Sequence, residues 1–525
     1  MRKIINISLV ALVLAMSACT DLDVTPRNDL IPDVFFGEED AYQRFLARLY
    51  AGLAVTGQQG PAGNPDIKTI PDEGFSSYLR QYWQLQTLPT DEAVIGWNDE
   101  GLPDIVTQQW GSNNQFVRAM YSRVFFQVSL ANEFLRESTP EKLEERGVSE
   151  EVRAQMPAFR AEARFLRALS YWHGIDLFRN IPFYTEDQLV GGSAPSQASA
   201  ADIYTFLVDE LQIIEADMLD PGTAPYGRAD RAALWMLQAK LYLNAEVYSG
   251  RAAYNECVEA CNKIIESGTY SLAENYQHNF LADNHTSPEI IFAVNFDGEA
   301  TQTFGGTTYL VHAALGGAMT DTEYGVSGAW GGLRTTPSLV DLYPDETGNI
   351  DERAIFFTEG QTKAIEALDE FTNGYASPKY QNITSDGVAG SSVTFVDTDY
   401  PLFRFADVHL MYAEAVLRGA TNGDLATATT LINQLRLRAY DNEAGNISEA
   451  DLNLDFILDE RARELYWEGH RRTDLIRFGK YTEEGVWAWK GGIAEGQTTA
   501  EFRNLYPIPA EELLANPSLD QNPGY

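Results

Sequence analysis

Apolar side chains recur with helical spacing over most of the chain. Val408, Met411, Tyr412 and Ala415 stand at positions i, i+3, i+4 and i+7, which forms one apolar stripe on an α-helix. Similar spacing predicts helices at 40–54, 116–137, 155–178, 201–219, 230–248, 253–267, 405–418, 424–440 and 455–479. Because a neighbouring element must cover each stripe, we expect a mainly α-helical fold in which the helices pack against one another.

Two long stretches interrupt this period. Residues 56–115 and 268–404 are rich in Gly, Pro, Asn and Thr, carry scattered aromatic residues and contain short β-like runs such as Ile290 to Phe296. Loops of this length in a compact helical protein are usually functional. We therefore predict irregular ligand-binding insertions with minor β structure. They interrupt a helical frame at about 30–55, 116–267 and 405–525, whose helix pairs are spaced like tetratricopeptide repeats.

The beginning of the chain has the pattern of a secretion signal. Arg2 and Lys3 precede a mostly apolar run, 4–16, that is too short to span a bilayer, and two small residues then lead to Cys19. This pattern resembles a bacterial lipobox, although Met16 stands where Leu is usual. We predict a signal peptide over 1–18 and a mature domain over 19–525, with fatty acids such as palmitate attached at Cys19. The alternative is an ordinary secreted protein.

The charge excludes one class of partner. The 525 residues carry a formal net charge of −38, and such an acidic surface repels nucleic acid. Aromatic residues make up 12% of the chain, which is enough to supply both a core and exposed ring platforms. We expect neutral or cationic ligands and no nucleic-acid partner.

Two predicted helices carry a stripe of like charge. The stripes are Arg160, Arg164 and Arg167 on one helix, and Glu460, Glu464 and Glu468 on another. Like charges at this spacing destabilise an isolated helix, so something should compensate. The hypothesis is that the stripes face each other or face other helices in an ion-pair network; the alternative is two solvated faces.

Several sequence blocks occur in a recognisable order. They are RFLRALSYWHGIDLFRNIPFY, RADRAALWMLQAKLYL, FRFADVHLMYAEAVLRG, INQLRLRA, ERARELYWEGHRRTDLIRFG and the closing LYPIPAEELLANPSLDQNPGY. With the lipobox, this series resembles the SusD/RagB family of outer-membrane nutrient-binding lipoproteins from Cys19 to Tyr525. The resemblance is weak only in the two insertions.

The resemblance implies a fold and a role. The fold is a tetratricopeptide-like helical frame with an irregular ligand-binding part. The role is capture of an oligosaccharide or polysaccharide by a lipid-anchored protein on the outside of the outer membrane, which passes it to a TonB-dependent β-barrel without catalysis. Three rivals stay open: capture of peptides or another non-glycan nutrient, a secreted glycoside hydrolase, and a scaffold that binds no ligand.

A sugar ring has a flat apolar face that stacks on Trp or Tyr, and polar neighbours then bind its hydroxyls. In TDEAVIGWNDEG, Trp97 is flanked by Asn98 and Asp99, and in EYGVSGAWGGLR, Trp330 stands between glycines. Both resemble the stacking aromatics of the starch-binding member of the family. The secondary candidates for ligand binding are Arg80, Trp83, Tyr324 and Tyr309.

Signatures of catalysis and metal binding are missing from the sequence. It has no GxSxG, HExxH or P-loop motif, and its six histidines lack ligand spacing. Cys257 and Cys261 supply half a zinc site at most, so we predict that they are small buried residues. The adjacent acid pairs 91–92 and 99–100 are glycosidase candidates in name only. We expect no cofactor; calcium binding by the acidic loops has no motif to support it.

Overall fold

The computed structural model describes residues 35–57, 60–61, 65–67, 72–188 and 191–525. The predicted signal peptide and the predicted lipidation site at Cys19 lie outside these ranges. The frame, the second insertion and most of the first insertion lie within them, as do all eight residues predicted to contact a ligand.

The described residues are mainly helical, as predicted, and form 17 α-helices with a few short strands. The α-helices are α1 (Ala41–Ala54), α2 (Tyr78–Thr87), α3 (Leu102–Val106), α4 (Gln115–Glu137), α5 (Pro140–Glu145), α6 (Glu150–Phe178), α7 (Ala200–Ile214), α8 (Arg231–Leu243), α9 (Ala245–Ser249), α10 (Tyr254–Ser267), α11 (Gly306–Ala313), α12 (Pro337–Val340), α13 (Phe405–Leu417), α14 (Leu425–Tyr440), α15 (Leu454–Leu465), α16 (Arg471–Arg477) and α17 (Ala510–Ala515). The strands are β1 (Ala93–Ile95), β2 (Ile181–Pro182), β3 (Gln197–Ala198), β4 (Ile290–Val294), β5 (Leu333–Thr335) and β6 (Tyr400–Arg404).

Helices that follow one another along the frame pack in pairs. The helix α4 lies along α6, α6 contacts α7, α8 lies along α10, and α13 contacts both α10 and α14. The longest helix, α6, begins where the Ser149 hydroxyl accepts a hydrogen bond from the backbone N–H of Val152, and two glutamates follow in the first turn, where negative charge suits the helix dipole. The frame is therefore of the tetratricopeptide-like kind.

The helix predicted over 455–479 is divided in two. The helix α15 ends at Leu465, and α16 begins only at Arg471. Between them, Trp467 takes a left-handed backbone with φ of 63°, and its main chain accepts a hydrogen bond from the Trp83 indole at 2.7 Å. A partner from a distant part of the chain thus stabilises a break that local sequence does not show.

The two insertions are joined by main-chain hydrogen bonds. Strand β1 of the first insertion pairs antiparallel with β5 of the second, with Ile95 opposite Leu333. In the second insertion β4, which confirms the β-like run predicted at 290–296, pairs with β6. Contrary to the expectation of an irregular first insertion, that stretch also contains α2, all ten residues of which are buried.

The glutamate stripe is buried and the arginine stripe is partly buried, but the two stripes do not face each other. Glu460, Glu464 and Glu468 are at most 1% exposed. Their ion-pair partners are Arg353, Arg404, Arg436, Arg438, Arg463 and Lys379. The arginine stripe turns elsewhere: Arg164 and Arg167 both pair with Glu210. The hypothesis that each stripe forms ion pairs with other elements is confirmed. The version in which the two stripes face each other is wrong, and so is the alternative of two solvated faces.

Two further predictions concern buried and apolar segments. Cys257 and Cys261 are buried free thiols in α10, as predicted. No helix in the described ranges has the length and apolar character needed to cross a membrane.

Candidate functional site

The strand pair β1–β5 brings the two predicted tryptophans together. Trp97 lies two residues after β1, and Trp330 lies three residues before β5. The antiparallel register, extended by a hydrogen bond from the Gly96 N–H to the Gly332 carbonyl, places the two segments side by side. The indole centroids are 6.2 Å apart, and the Trp97 Nε1 donates to the Trp330 carbonyl at 3.3 Å. Residues 233 positions apart therefore share one surface.

The end of α11 holds the Trp330 loop. Three consecutive backbone N–H groups, from Trp330, Gly331 and Gly332, donate to carbonyls in the last turn of α11 and just beyond it, at 2.8–2.9 Å. These bonds satisfy carbonyls that a helix end leaves open. A side chain at position 332 would lie 2.6 Å from the Trp97 ring, so only glycine fits there. Gly328 and Gly331 take positive φ values of 101° and 59°, which glycine adopts without strain.

One face of Trp330 is supported from below. The His312 ring stacks on it with centroids 4.8 Å apart and an interplanar angle of 20°. The two His312 ring nitrogens lie 2.6 and 3.0 Å from the carbonyl oxygens of Gly328 and Thr394, which fixes the ring in place. The indole stays half-buried, and its Nε1 donates to no described residue. Trp330 is therefore a rigid platform with one ring face supported and an N–H group to spare.

Two phenylalanines that the sequence reasoning did not single out extend this platform. The Phe304 ring lies 6.4 Å from Trp330, and the Phe395 ring lies 5.1 Å from Phe304. Both are half-buried, like the tryptophans. We call Trp97, Trp330, Phe304 and Phe395 the aromatic row. A signal was present, since both phenylalanines stand in Gly- and Thr-rich segments of the second insertion.

Arg80, on α2, lies beneath the aromatic row. Its guanidinium carbon is 4.2 Å from the centroid of Tyr309 and 5.8 Å from that of Trp97. The side chain forms no hydrogen bond or ion pair with any described residue, and its Nε is buried without a partner. Burial lowers the pKa of Arg80, against the opposing charges of Asp72 and Asp99. Such a cation has unused donors, which is unusual for a buried guanidinium.

The arrangement can bind a flat, hydroxyl-bearing molecule. The ring faces of the aromatic row offer apolar contact, while Arg80 and the Trp330 N–H can donate hydrogen bonds. Asn98 and Asp99 are exposed beside Trp97, where they can accept hydrogen bonds from hydroxyls. The predicted neighbours of Trp97 are thus accessible from solvent.

Comparison with known proteins identifies the family. The SusD family model matches residues 358–525. The chain is also 35% identical to the starch-binding protein SusD of Bacteroides thetaiotaomicron, in a match that covers 97% of this chain and 96% of that protein. The chain belongs to the SusD family. The resemblance stated from the sequence blocks is thus confirmed.

Solved structures of SusD-like proteins share the fold. Surface glycan-binding protein A from Bacteroides fluxus aligns with a TM-score of 0.71 at 22% identity, over 93% of this chain and 100% of that one. The protein of the same name from B. thetaiotaomicron, in complex with laminarihexaose, gives 0.70 at 20% identity, over 92% and 99%. At these identities the likeness concerns the tetratricopeptide-like fold.

In this SusD-family protein, burial contradicts two of the secondary site predictions, and the one for Tyr324 stays a prediction. Trp83 and Tyr309 are fully buried, so the prediction that their rings contact a ligand is wrong. Trp83 instead packs on Trp467 and supports the break before α16, whereas Tyr309 supports Arg80 and Trp97 from below. Tyr324 is half-buried, and its ring contacts no member of the row among the described ring pairs.

A cavity of about 1030 Å³ lies away from the aromatic row of this SusD-family chain. Its wall includes Tyr121, Phe125 and Tyr184, with residues of 191–196 and 512–519, and contains no predicted site residue. The rings of Phe125 and Tyr184 stack on each other at 6.5 Å and 22°, and the Tyr184 hydroxyl is within 2.9 Å of the Ser129 hydroxyl. In this cavity the Phe125–Tyr184 stack covers one face of each ring.

Of the two named acid pairs, the pair 91–92 is held in structural contacts. Both carboxylate oxygens of Asp91 accept hydrogen bonds from Arg471 at 2.7 Å. Glu92 is fully buried, which raises its pKa to about 8, and it accepts a hydrogen bond from the Trp467 backbone. Asp99 and Glu100 are exposed. In the described part of the chain, no group of three His, Cys, Asp or Glu residues is arranged to hold a metal ion.

Proposed function

We propose that this protein captures neutral oligosaccharides, glucans foremost, at the cell surface, and that it acts by binding alone. The observation that carries the proposal is the aromatic row with its half-buried rings above Arg80, whose donors are unused. The relatives support the class of ligand, since one is named a starch-binding protein and another was solved with laminarihexaose.

Binding would combine stacking with a few directed hydrogen bonds. Pyranose rings would lie on Trp97 and Trp330, and their hydroxyls would accept from Arg80 and donate to Asp99. The loop that carries Trp330 is already fixed by the end of α11 and by His312. Because the platform loses little conformational freedom on binding, more of the contact energy would appear as affinity.

The location and the partner are part of the same proposal. Lipidation of Cys19 would anchor the mature protein to the outer membrane, facing outward. A TonB-dependent β-barrel would then receive the captured oligosaccharide. Labelling with a fatty-acid analogue should mark the wild-type protein but not Cys19→Ala, and the barrel should co-purify with the lipidated form. A soluble, unlabelled wild-type protein would contradict the anchor without touching the binding site.

The binding site is tested by truncating its two platforms. Trp97→Ala and Trp330→Ala should each weaken binding of maltooligosaccharides or laminarioligosaccharides by about 1–3 kcal/mol in calorimetry. The matched control is Trp235→Ala, which removes a half-buried tryptophan on α8, outside the row. Unchanged affinity in both row variants, with circular dichroism equal to that of the wild type, would reject the site.

The rival functions give different results in the same preparation. A peptide-capture protein would bind peptide mixtures and ignore glucans. A glycoside hydrolase would release reducing sugars from polysaccharide, whereas we expect retained binding and no release.

A further inference from the structure

A cavity of about 290 Å³ shares Trp97 with the aromatic row and is lined by no other member of the row. Two indoles contribute to its wall, Trp97 from the first insertion and Trp489 from the C-terminal part of the frame. Leu368 and Pro103 add apolar surface, and Glu366 and Asp369 are exposed at its edge. Its volume is at the small end of the range for ligand pockets, which suits one or two sugar rings rather than a large molecule.

The backbone holds Trp489 in an unusual conformation. Its φ is 65°, a left-handed value that costs a bulky residue of order 1 kcal/mol or more and persists only where surrounding contacts impose it. The next residue, Lys490, is fully buried and donates to the carbonyls of Tyr481 and Thr482 at 2.6 and 2.9 Å. The Gly491 N–H donates to the Thr107 carbonyl. The loop thus has a rigid base, and Trp489 is presented half-buried at the cavity.

The other wall is also anchored. Arg334, fully buried in β5, donates to the carbonyls of Gly332, Asn373 and Leu368. The Trp489 Nε1 donates to the Ile365 carbonyl at 2.8 Å, which ties the loop of Trp489 to the same segment. Arg334 ties the segment that carries Leu368 to β5, and Trp489 ties its own loop to the same segment. The space between the two indoles is therefore held by fixed contacts of the fold.

We propose that this cavity is a second sugar subsite, in which Trp489 stacks on a pyranose of a chain that continues past Trp97 from the aromatic row. The inference rests on the proposed function and adds to it a preference for longer oligosaccharides and for uncharged sugar units. None of the ten residues lining the cavity is Lys, Arg or His, whereas two are carboxylates. The subsite therefore takes uncharged sugars and disfavours sulfated or uronic-acid units, whose charge would meet Glu366 and Asp369 unpaired.

The test is the dependence of affinity on chain length. Maltooligosaccharides and laminarioligosaccharides of two to seven units are titrated by calorimetry into wild-type protein, Trp489→Ala, Ala367→Trp and Trp97→Ala. In the series that binds, we expect wild-type affinity to rise at least tenfold from the shortest to the longest chain bound. Trp489→Ala and Ala367→Trp, the latter filling the cavity, should lose most of that rise while binding the shortest chain as well as wild type does. Trp97→Ala should weaken every length.

The control and the contrary outcomes separate the two proposals. Ile493→Ala alters an exposed residue of the same loop that does not line the cavity, and should keep the full rise. If Trp489→Ala and Ala367→Trp keep the wild-type rise while Trp97→Ala loses binding, the subsite is rejected and the aromatic row stands. Equal loss at every length in the two cavity variants also rejects it. Binding of neither series by wild-type protein overturns both proposals.

Discussion

Arg404 and Arg80 show two uses of a buried guanidinium in one molecule. All three nitrogens of Arg404 donate to Glu289, Glu464 or Glu468, and the side chain is 1% exposed. Arg80 is 9% exposed and rests on the rings of Tyr309 and Trp97, yet it donates to no described residue. Both guanidinium groups pack against aromatic rings, but only that of Arg404 has carboxylate partners.

This difference in partners distinguishes a cation that stabilises the fold from one that can bind a ligand. A cation whose donors are all used stabilises the elements that it joins and has nothing left for a ligand. A buried donor without a partner, such as the Arg80 Nε, costs folding energy, and a ligand that supplies an acceptor can recover that energy. The network beneath α15 is therefore a place to look for stability effects, and the aromatic row a place to look for binding effects.

The largest effect should come from breaking the network. Glu464→Gln removes the charge that faces Arg353, Arg404 and Arg438, and leaves buried cations short of a partner. We expect the free energy of unfolding, measured in urea, to fall by about 3–5 kcal/mol. Asp455→Asn, in the same helix but at a side chain that is 80% exposed in its ion pair with Lys480, should change it by less than about 0.5 kcal/mol. Equal effects would remove the distinction.

Acid should weaken the network in a defined window. Burial alone would raise the pKa of Glu460, but Arg353, Arg463 and Arg436 outweigh it and lower the pKa to about 2, from 4.5. The folded state thus binds fewer protons than the unfolded state. The stabilisation is complete above pH 4.5 and is lost as the pH falls towards 2, a change on the order of 3 kcal/mol. Urea unfolding from pH 7 to pH 2.5 should show a flatter profile for Glu460→Gln; an identical slope would contradict the assignment.

Arg80 should show the opposite balance. Arg80→Met keeps the length of the side chain and removes the unused donors, so glucan binding should weaken by about 1.5–2 kcal/mol. The free energy of unfolding should stay within about 1 kcal/mol of wild type, because lost contact with Tyr309 is offset by relief of a buried charge. Calorimetry and urea unfolding on the same sample measure both. Destabilisation as large as that of Glu464→Gln would place Arg80 with the structural cations.

The smallest effect concerns Tyr324, which the sequence offered as a platform. Its ring makes no described contact with the aromatic row. Tyr324→Ala should therefore change glucan affinity by less than about 0.5 kcal/mol in calorimetry. A loss as large as that of Trp330→Ala would extend the binding surface beyond the row.

The frame could be predicted because its helices alternate apolar and polar positions. The helix α2 was missed because it is a ten-residue segment inside a Gly- and Pro-rich insertion, and its polar positions, among them Gln81 and Gln84, are buried like its apolar ones. Its polar side chains are satisfied by distant partners, as when Gln86 donates to Asp176 at 2.8 Å. The break at Trp467 was hidden because its partner, the Trp83 indole, comes from a distant part of the chain.

The site could be predicted in part. Trp97 and Trp330 stood out by residue type and by their polar or glycine-rich surroundings, but their contact depends on the β1–β5 register. Phe304 and Phe395 were missed because phenylalanine has no polar group to distinguish a platform from a core residue. The free guanidinium of Arg80 is a property of three-dimensional packing, which no local pattern encodes.

The pairing of β1 with β5 has a consequence for how such proteins diverge. Trp97 and Trp330 arrive on separate loops that only the strand register aligns. Grafting one loop from a relative would supply only one of the two aromatic platforms, and the ring on the unchanged loop would no longer be aligned with it. New ligand preferences should therefore arise through matched changes in both loops, and chimaeras that swap the two together should retain a working receptor more often than single-loop swaps.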